Sequence, residues 1–176
     1  MEKLNIDDFK YYISVVNKEN FFKIPDLSSS IKPYYPDFFD WLQTTAKNRN
    51  CVVLKYKDQF IGYIIYKPVK ITEDQYNTFT VVDKVFKICS IFISEPYRKQ
   101  HLGKFMMVYL LKSIESFDGI YVTVKNKPEL KYVKEFLTKK FGFEKVVNIT
   151  KMKEKNESVY VYKSNNPVDI NETKIV

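Results

Sequence analysis

The stretch Ile91-Phe92-Ile93-Ser94-Glu95-Pro96-Tyr97-Arg98-Lys99-Gln100-His101-Leu102-Gly103-Lys104-Phe105-Met106 joins an apolar strand-like run to a basic turn and then to a helical pattern. Such a junction can do chemistry on phosphates. The first backbone N–H groups of a helix have no partner within it and sit at the positive end of its dipole, so a turn leading into a helix can cradle a pyrophosphate. Close approach needs small side chains near the backbone, and Gly103 supplies one, while Arg98, Lys99 and Lys104 add positive charge. Gln100, His101 and Leu102 complete the turn; His101, the single histidine, points by its place toward phosphates rather than toward proton transfer. A plain strand-turn-helix junction would use the same residue types.

At these residues the chain resembles the GNAT acetyltransferases, whose acetyl-coenzyme A turn follows a strand and reads Arg or Gln, two residues, Gly, one residue, Gly or Ala. Arg98 and Gly103 match that pattern, Leu102 matches the usual aliphatic residue, and Tyr97 matches the common aromatic before the Arg. His101 stands where the first Gly is expected, and His is among the residues that tolerate positive φ. A second landmark of the family is a strand, an Asn, a helix and a terminal Gly-Phe. Here it reads as Ile120 to Val124, Asn126, Glu129 to Phe141 and Gly142-Phe143, so the likeness runs from about Cys51 to Tyr162.

The resemblance implies an acetyl group moving from acetyl-CoA to a primary amine, of a small molecule or a protein, by direct attack in a ternary complex. It implies a cofactor arm paired to the backbone of Ile91, Phe92 and Ile93, where one N–H aimed at the developing oxyanion is worth about 3 kcal/mol. Asn126 matches an Asn that touches that arm; Asn126-Lys127-Pro128-Glu129 reads equally as a helix cap. An amine with pKa about 10.4 costs roughly 4 to 5 kcal/mol to deprotonate at pH 7, so a base or a desolvating pocket is needed. Val85 stands where the family often has a Glu, which leaves Asp83 as the nearest carboxylate, with Glu73 or Asp74 reaching from the preceding segment. Thr138 stands where a Tyr usually protonates the leaving thiolate, and Tyr132 on the same helix is a distant substitute. The missing Tyr implies slowness or protonation through water. The acceptor wall falls on Phe21 to Trp41, rich in aromatic residues.

The elements that must position these residues follow from periodicity. Apolar residues at Ile6, Phe9, Ile13 and Val16, after acidic Asp7 and Asp8, predict a first helix. Ile24 to Pro36, with three prolines and a serine triplet, predicts a loop; Pro36-Asp37 then opens a helix through Phe38, Trp41, Leu42 and Thr45. Cys51 to Tyr56 and Phe60 to Tyr66 predict a hairpin with a bulge at Gly62, and 69–83 an irregular stretch. Lys84 to Ile93 predicts a central strand, Leu102 to Phe117 a helix, Asp118-Gly119 a turn, and Ile120 to Lys125 a strand. Leu130 to Phe141 predicts a helix stopped by Gly142; Phe143 to Ile149 and Val159 to Tyr162 predict the last strands, around a charged turn at Lys153 to Glu157. This order predicts an α/β, three-layer plan around a mixed sheet, which the resemblance makes a GNAT-type splayed one. Residues 1–163 are expected to form one domain and 164–176 a polar tail.

Composition sets the outer limits. A chain of 176 residues, 45% hydrophobic with 14 Tyr and 14 Phe but only 4 Gly and 7 Pro, is too apolar for a disordered protein and too poor in linker residues for an array. Cys51 and Cys89 both lie in apolar runs, so buried thiols are expected rather than a disulfide, and no metal site is expected. Met1 to Phe9 lacks a basic region followed by an apolar one, and no window reaches the 18 apolar residues of a span, which predicts a soluble, cytoplasmic protein away from membranes. A formal charge of +8 suits phosphate-bearing ligands, coenzyme A among them. The lysines are scattered, so acetylation of aminoacyl-tRNA by a GNAT-type toxin stays an alternative that is not favoured; a catalytically weak acyl-CoA-binding sensor is a further alternative, prompted by Val85 and Thr138. A monomer or homodimer is expected.

Overall fold

A computed structural model of the chain describes residues 4–69, 84–114, 116–146 and 156–163. Among the described residues seven strands form one mixed sheet in the order β1-β2-β3-β4-β5-β7-β6. They are β1 (Phe9–Val15), β2 (Asn50–Tyr56), β3 (Gln59–Val69), β4 (Val85–Ile93), β5 (Gly119–Lys125), β6 (Glu144–Val146) and β7 (Glu157–Lys163). The helices are α1 (Lys18–Phe22), α2 (Leu27–Ile31), α3 (Phe38–Thr44), α4 (Leu102–Ser113) and α5 (Lys131–Glu135). The chain divides into two compact units, Met1–Tyr66 with Ser90–Ser113, and Lys67–Cys89 with Ile114–Val176.

In the first unit β1, β2 and β3 form an antiparallel meander, and its register settles which helix covers which face. Tyr12, Val53 and Tyr63 stand opposite one another across the three strands, so their side chains share a face; Tyr11, Leu54 and Gly62 share the other. On the first face Phe21 of α1 and Phe38 of α3 lie against Tyr63, with ring centroids 4.5 and 6.3 Å away, and Tyr63 lies 6.0 Å from Phe92 of β4. On the opposite face Tyr109 of α4 stacks on Tyr11 at 6.0 Å. Helices therefore cover both faces, as the three-layer plan requires. Tyr63, Leu42, Leu54, Met106, Met107 and Leu110 are fully buried between these layers.

The second unit is built on β5. It pairs in parallel with β4 from Val85↔Gly119 to Ile88↔Val122, and antiparallel with β7 along its whole length. Val69, Val85, Tyr121, Val159 and Val161 form its core. Lys84 and Asp118 tie the first residues of the parallel pair together: the Asp118 N–H donates to the Lys84 carbonyl at 2.7 Å, and the Lys84 N–H to the Asp118 carboxylate at 3.0 Å.

Several sequence expectations are corrected. The first predicted helix is a single 3-10 turn, Ile6–Asp8, followed by β1. Its helical spacing of apolar residues is overridden by the ladder that Phe9 to Val15 makes with the free edge of β2, which aromatic and β-branched residues favour. The predicted loop from Ile24 to Pro36 contains α2, and α1 precedes it, while α3 opens where Pro36-Asp37 predicts. In the hairpin the register shifts between Leu54 and Lys55, which face Gly62 and Phe60, so Ile61 is the extra residue and Gly62 is not. Gly62 serves another need: a Cβ there would lie 2.9 Å from the Phe92 carbonyl oxygen. The helix expected to reach Phe117 ends at Ser113, and Gly119, expected in the turn, already belongs to β5.

The helix expected over Leu130 to Phe141 is a 3-10 turn at Pro128–Leu130, then α5, then a π turn at Phe136–Lys140. Gly142, at φ 67°, ends it as predicted. Lys127, not Asn126, occupies the cap position, and no side chain caps it. Of the expected strand Phe143 to Ile149, Glu144–Val146 is seen; Val147 to Ile149 lie outside the described residues. So do 70–83 of the irregular stretch, Lys153 to Lys155 of the charged turn, and 164–176. Cys51 is fully buried and Cys89 partly.

Two outcomes follow from this packing. Burial pushes the Cys51 thiol and the Tyr11 phenol each up to about 12, whereas the unfolded chain would lose those protons near about 8.5 and 10. Between those values and 12 the native state binds more protons than the unfolded one, so stability is insensitive to these groups below pH 8 and falls as pH rises from 9 to 12; denaturant melts across that range check it. Gly62→Ala must push β3 away from the Phe92 carbonyl and is expected to cost about 1–3 kcal/mol in a urea melt.

Candidate active site

The site is built at the end of β4. Phe92 and Ser90 lie on the face of Tyr63, whose hydroxyl is 3.1 Å from the Ser90 Oγ. Ser94 closes the strand and is fully buried. Its N–H donates to the Ile61 carbonyl at 2.8 Å, and its carbonyl accepts from the Tyr97 N–H at 3.0 Å. A 3-10 turn over Glu95–Tyr97 follows, with Pro96 early in it, because proline fixes φ where no donor is needed.

Lys99 and His101 then take the left-handed conformation, φ 65° and 59°. The position where the sequence replaces a glycine with histidine is thus one where glycine would be at ease. Phe105 is the first residue of α4 whose N–H reaches back, to the His101 carbonyl at 3.1 Å. The amides of Lys99, Gln100, His101, Leu102, Gly103 and Lys104 donate to no acceptor among the described residues. Leu102 is buried and anchors the turn; Lys99 and His101 are exposed, while Gln100, Gly103 and Lys104 are half-buried. This run of amides at the start of a three-turn helix can hold an anion, and the fit to a pyrophosphate rests on it.

Arg98 takes a place the sequence did not suggest. Its Nε donates to the Ile93 carbonyl at 2.8 Å, its guanidinium lies 5.5 Å from the Phe92 ring centre, and one terminal nitrogen is 3.9 Å from the Asp26 carboxylate. It braces the strand end. Asp26, between α1 and α2, is a residue that sequence reasoning missed: it also accepts from the Ser94 Oγ at 2.6 Å and the Glu95 N–H at 3.0 Å. Its own sequence context, Pro25-Asp26-Leu27, marks a turn, and nothing there announces a partner 68 residues away. Ile91 and Ile93 are half-buried and Phe92 is buried.

The predicted acid–base residues divide. Asp83, like Glu73 and Asp74, lies outside the described residues. Val85, where a Glu is usual, is 2% exposed and part of the second unit's core. Thr138 spends its hydroxyl proton on the Lys134 carbonyl of α5, 2.9 Å away, and Tyr132 is 58% exposed on α5. The Asn126 Oδ1 accepts from the Lys134 ammonium at 2.8 Å and the Ser158 hydroxyl at 2.6 Å. Burial, with Lys145 nearby, lowers the Lys134 ammonium from its ordinary value. Of the predicted acceptor wall, Phe21, Phe22, Asp26, Leu27, Lys32 and Phe39 line a cavity of about 480 Å³.

Helices on both faces of a mixed sheet, with an amide-rich turn between its central strand and a helix, define an α/β protein of the acetyltransferase plan. The model of the acetyltransferase (GNAT) family matches residues 16–143, and the chain belongs to that family. Solved structures share the fold. A protein assigned to the GNAT family from Desulfovibrio desulfuricans superposes with a TM-score of 0.66 at 13% identity, over 88% of this chain and 98% of that one. NAA60 of Arabidopsis thaliana, in complex with a bisubstrate analogue, gives 0.58 at 16% over 88% and 98%; the same protein is also known in complex with acetyl-CoA. The N-acetyltransferase YlbP of Bacillus subtilis, in complex with coenzyme A, gives 0.57 at 14% over 88% and 96%. Among curated proteins none matches this sequence.

The left-handed turn predicts a ranking. His101→Gly should shift stability by less than about 1 kcal/mol, whereas His101→Val, β-branched at positive φ, should cost roughly 1–2 kcal/mol. Thermal melts of the two variants decide it.

Proposed function

We propose that the protein transfers the acetyl group of acetyl-CoA to a primary amine, of a small molecule or a protein, by direct attack in a ternary complex. The observation that carries this is the run of amides from Lys99 to Lys104, which have no acceptor among the described residues and open α4 in a member of the acetyltransferase family. Those amides hold the pyrophosphate, with Lys99 and Lys104 adding charge. The pantetheine arm follows β4 and pairs with the backbone of Ile91, Phe92 and Ile93. This is supported by the parallel register of β4, whose last pair is Ile88↔Val122 while the strand itself runs on to Ile93. One N–H of this stretch faces the thioester carbonyl and stabilises the oxyanion as the amine attacks.

Proton traffic follows from the residues present. With Val85 apolar, the amine loses its proton to Asp83 or to water, and a coenzyme A thiolate, a tolerable leaving group, regains one from water. The engaged Thr138 hydroxyl supports water rather than Thr138 as the donor. Asn126, proposed as a cofactor contact on the family pattern, keeps its amide nitrogen for that role, its oxygen being taken. We place the acceptor wall on Phe21 to Trp41 and read 1–163 as one catalytic domain acting in the cytoplasm. No helix among the described residues is long and apolar enough to cross a membrane. A second reading, an acyl-CoA sensor of low activity, is favoured by Val85 and Thr138 standing where acid–base groups are usual.

Titration calorimetry with acetyl-CoA, then thiol release across an amine panel, tests both. Micromolar binding with amine-dependent thiol release is expected. Binding without release across the panel selects the sensor, and no binding overturns both readings. Gly103→Trp should abolish binding while leaving the circular dichroism unchanged; undiminished affinity in that variant removes the turn from the site.

A further inference from the structure

Asp26 stands apart from the residues that would touch a cofactor, yet three groups of the turn converge on it. Ser94 Oγ donates to its Oδ1 at 2.6 Å, the Glu95 N–H to its Oδ2 at 3.0 Å, and an Arg98 nitrogen is 3.9 Å away. Ser30 Oγ, from α2, adds a fourth contact at 3.2 Å. Asp26 itself sits at φ 55°, a conformation that Asp and Asn tolerate better than other side-chain-bearing residues. The carboxylate is therefore fixed from both sides: by α2 through its backbone and Ser30, and by the strand end through Ser94, Glu95 and Arg98.

This arrangement does what Arg98 cannot do alone. The Arg98 guanidinium is turned back along β4 by its bond to the Ile93 carbonyl, and the Asp26 charge holds it there. With Arg98 held back and the Glu95 N–H engaged, the chain leaves Ser94 along one path, which ends in the left-handed residues Lys99 and His101 and the amides up to Lys104. Asp26 also lines the cavity with Phe22, Leu27, Lys32 and Phe39, so one carboxylate links the proposed acceptor wall to the turn.

We propose that Asp26 is a positioning residue: its carboxylate clamps Ser94, Glu95 and Arg98 and so sets the turn that presents the Lys99 to Lys104 amides to a pyrophosphate. This rests on the reading of that turn as the coenzyme A site. Charge-assisted hydrogen bonds are shorter and stronger than neutral ones, and losing the clamp raises the cost of ordering the turn each time a ligand binds.

Two variants of the full chain separate the carboxylate from the backbone. Asp26→Gly keeps the left-handed conformation at no steric cost and removes the carboxylate; Asp26→Asn keeps the conformation and one acceptor but loses the charge. Coenzyme A affinity by calorimetry should fall about tenfold or more in Asp26→Gly and by less in Asp26→Asn. Hydrogen exchange should quicken at least tenfold in the peptide covering 95–104, with the peptide covering β5 unchanged. Wild-type affinity and exchange in Asp26→Gly would overturn the proposal. So would exchange that quickens equally throughout the chain, since that marks a general loss of stability. If the wild-type protein itself binds no coenzyme A, the reading of the site fails instead, whatever the exchange of the turn.

Discussion

Backbone amides that a helix cannot satisfy must find acceptors elsewhere, and the start of α4 leaves a run of them, Lys99 to Lys104, without one among the described residues. Everything around the turn serves to keep them presented rather than folded away. Pro96 breaks the strand, Leu102 anchors the helix in the core, and two left-handed residues turn the chain. A continuous helix or a longer strand would each have consumed those donors. The turn is costly to hold, because left-handed residues with side chains are strained, and strain of that kind persists where surrounding contacts over-determine it.

Those contacts are mostly apolar. Tyr63 is the hub: fully buried, it meets Phe21, Phe38 and Phe92, and its one polar atom is satisfied by Ser90. Aromatic packing of this kind fixes β3 against β4, and Gly62 lets the two backbones come close enough for the Ile61 carbonyl to hold Ser94. The strand end is thus rigid before any ligand arrives, which lowers the ordering cost that binding must meet. Against this frame, two of the positions where acid–base groups are usual do not supply them: Val85 is core and the Thr138 hydroxyl is engaged. In the acetyltransferase reading, catalysis then depends on orientation and oxyanion stabilisation more than on a dedicated proton donor.

A π turn at Phe136–Lys140 closes the helix that follows β5. Thr138, within it, donates its hydroxyl to the Lys134 carbonyl of α5. Lys134 in turn donates to Asn126, so the helix and the end of β5 are joined through that amide. A residue that reads as a helix cap instead ties strand to helix, its oxygen accepting from an ammonium and a hydroxyl.

The sequence by itself determined the α/β class, the order of elements from β2 to β5, and the turn at Arg98 to Lys104. Each of these is set by local signals: alternating or continuous apolar runs, a proline after a strand, a glycine at a helix start or end. Tertiary structure decided the rest. Ile6 to Val16 carries a helical spacing of apolar residues, yet Phe9 to Val15 becomes a strand because the open edge of β2 offers a ladder that a short surface helix cannot match. The role of Asp26 was equally invisible, since it depends on contacts between residues 68 or more apart, and no spacing along the chain encodes where a distant carboxylate will land.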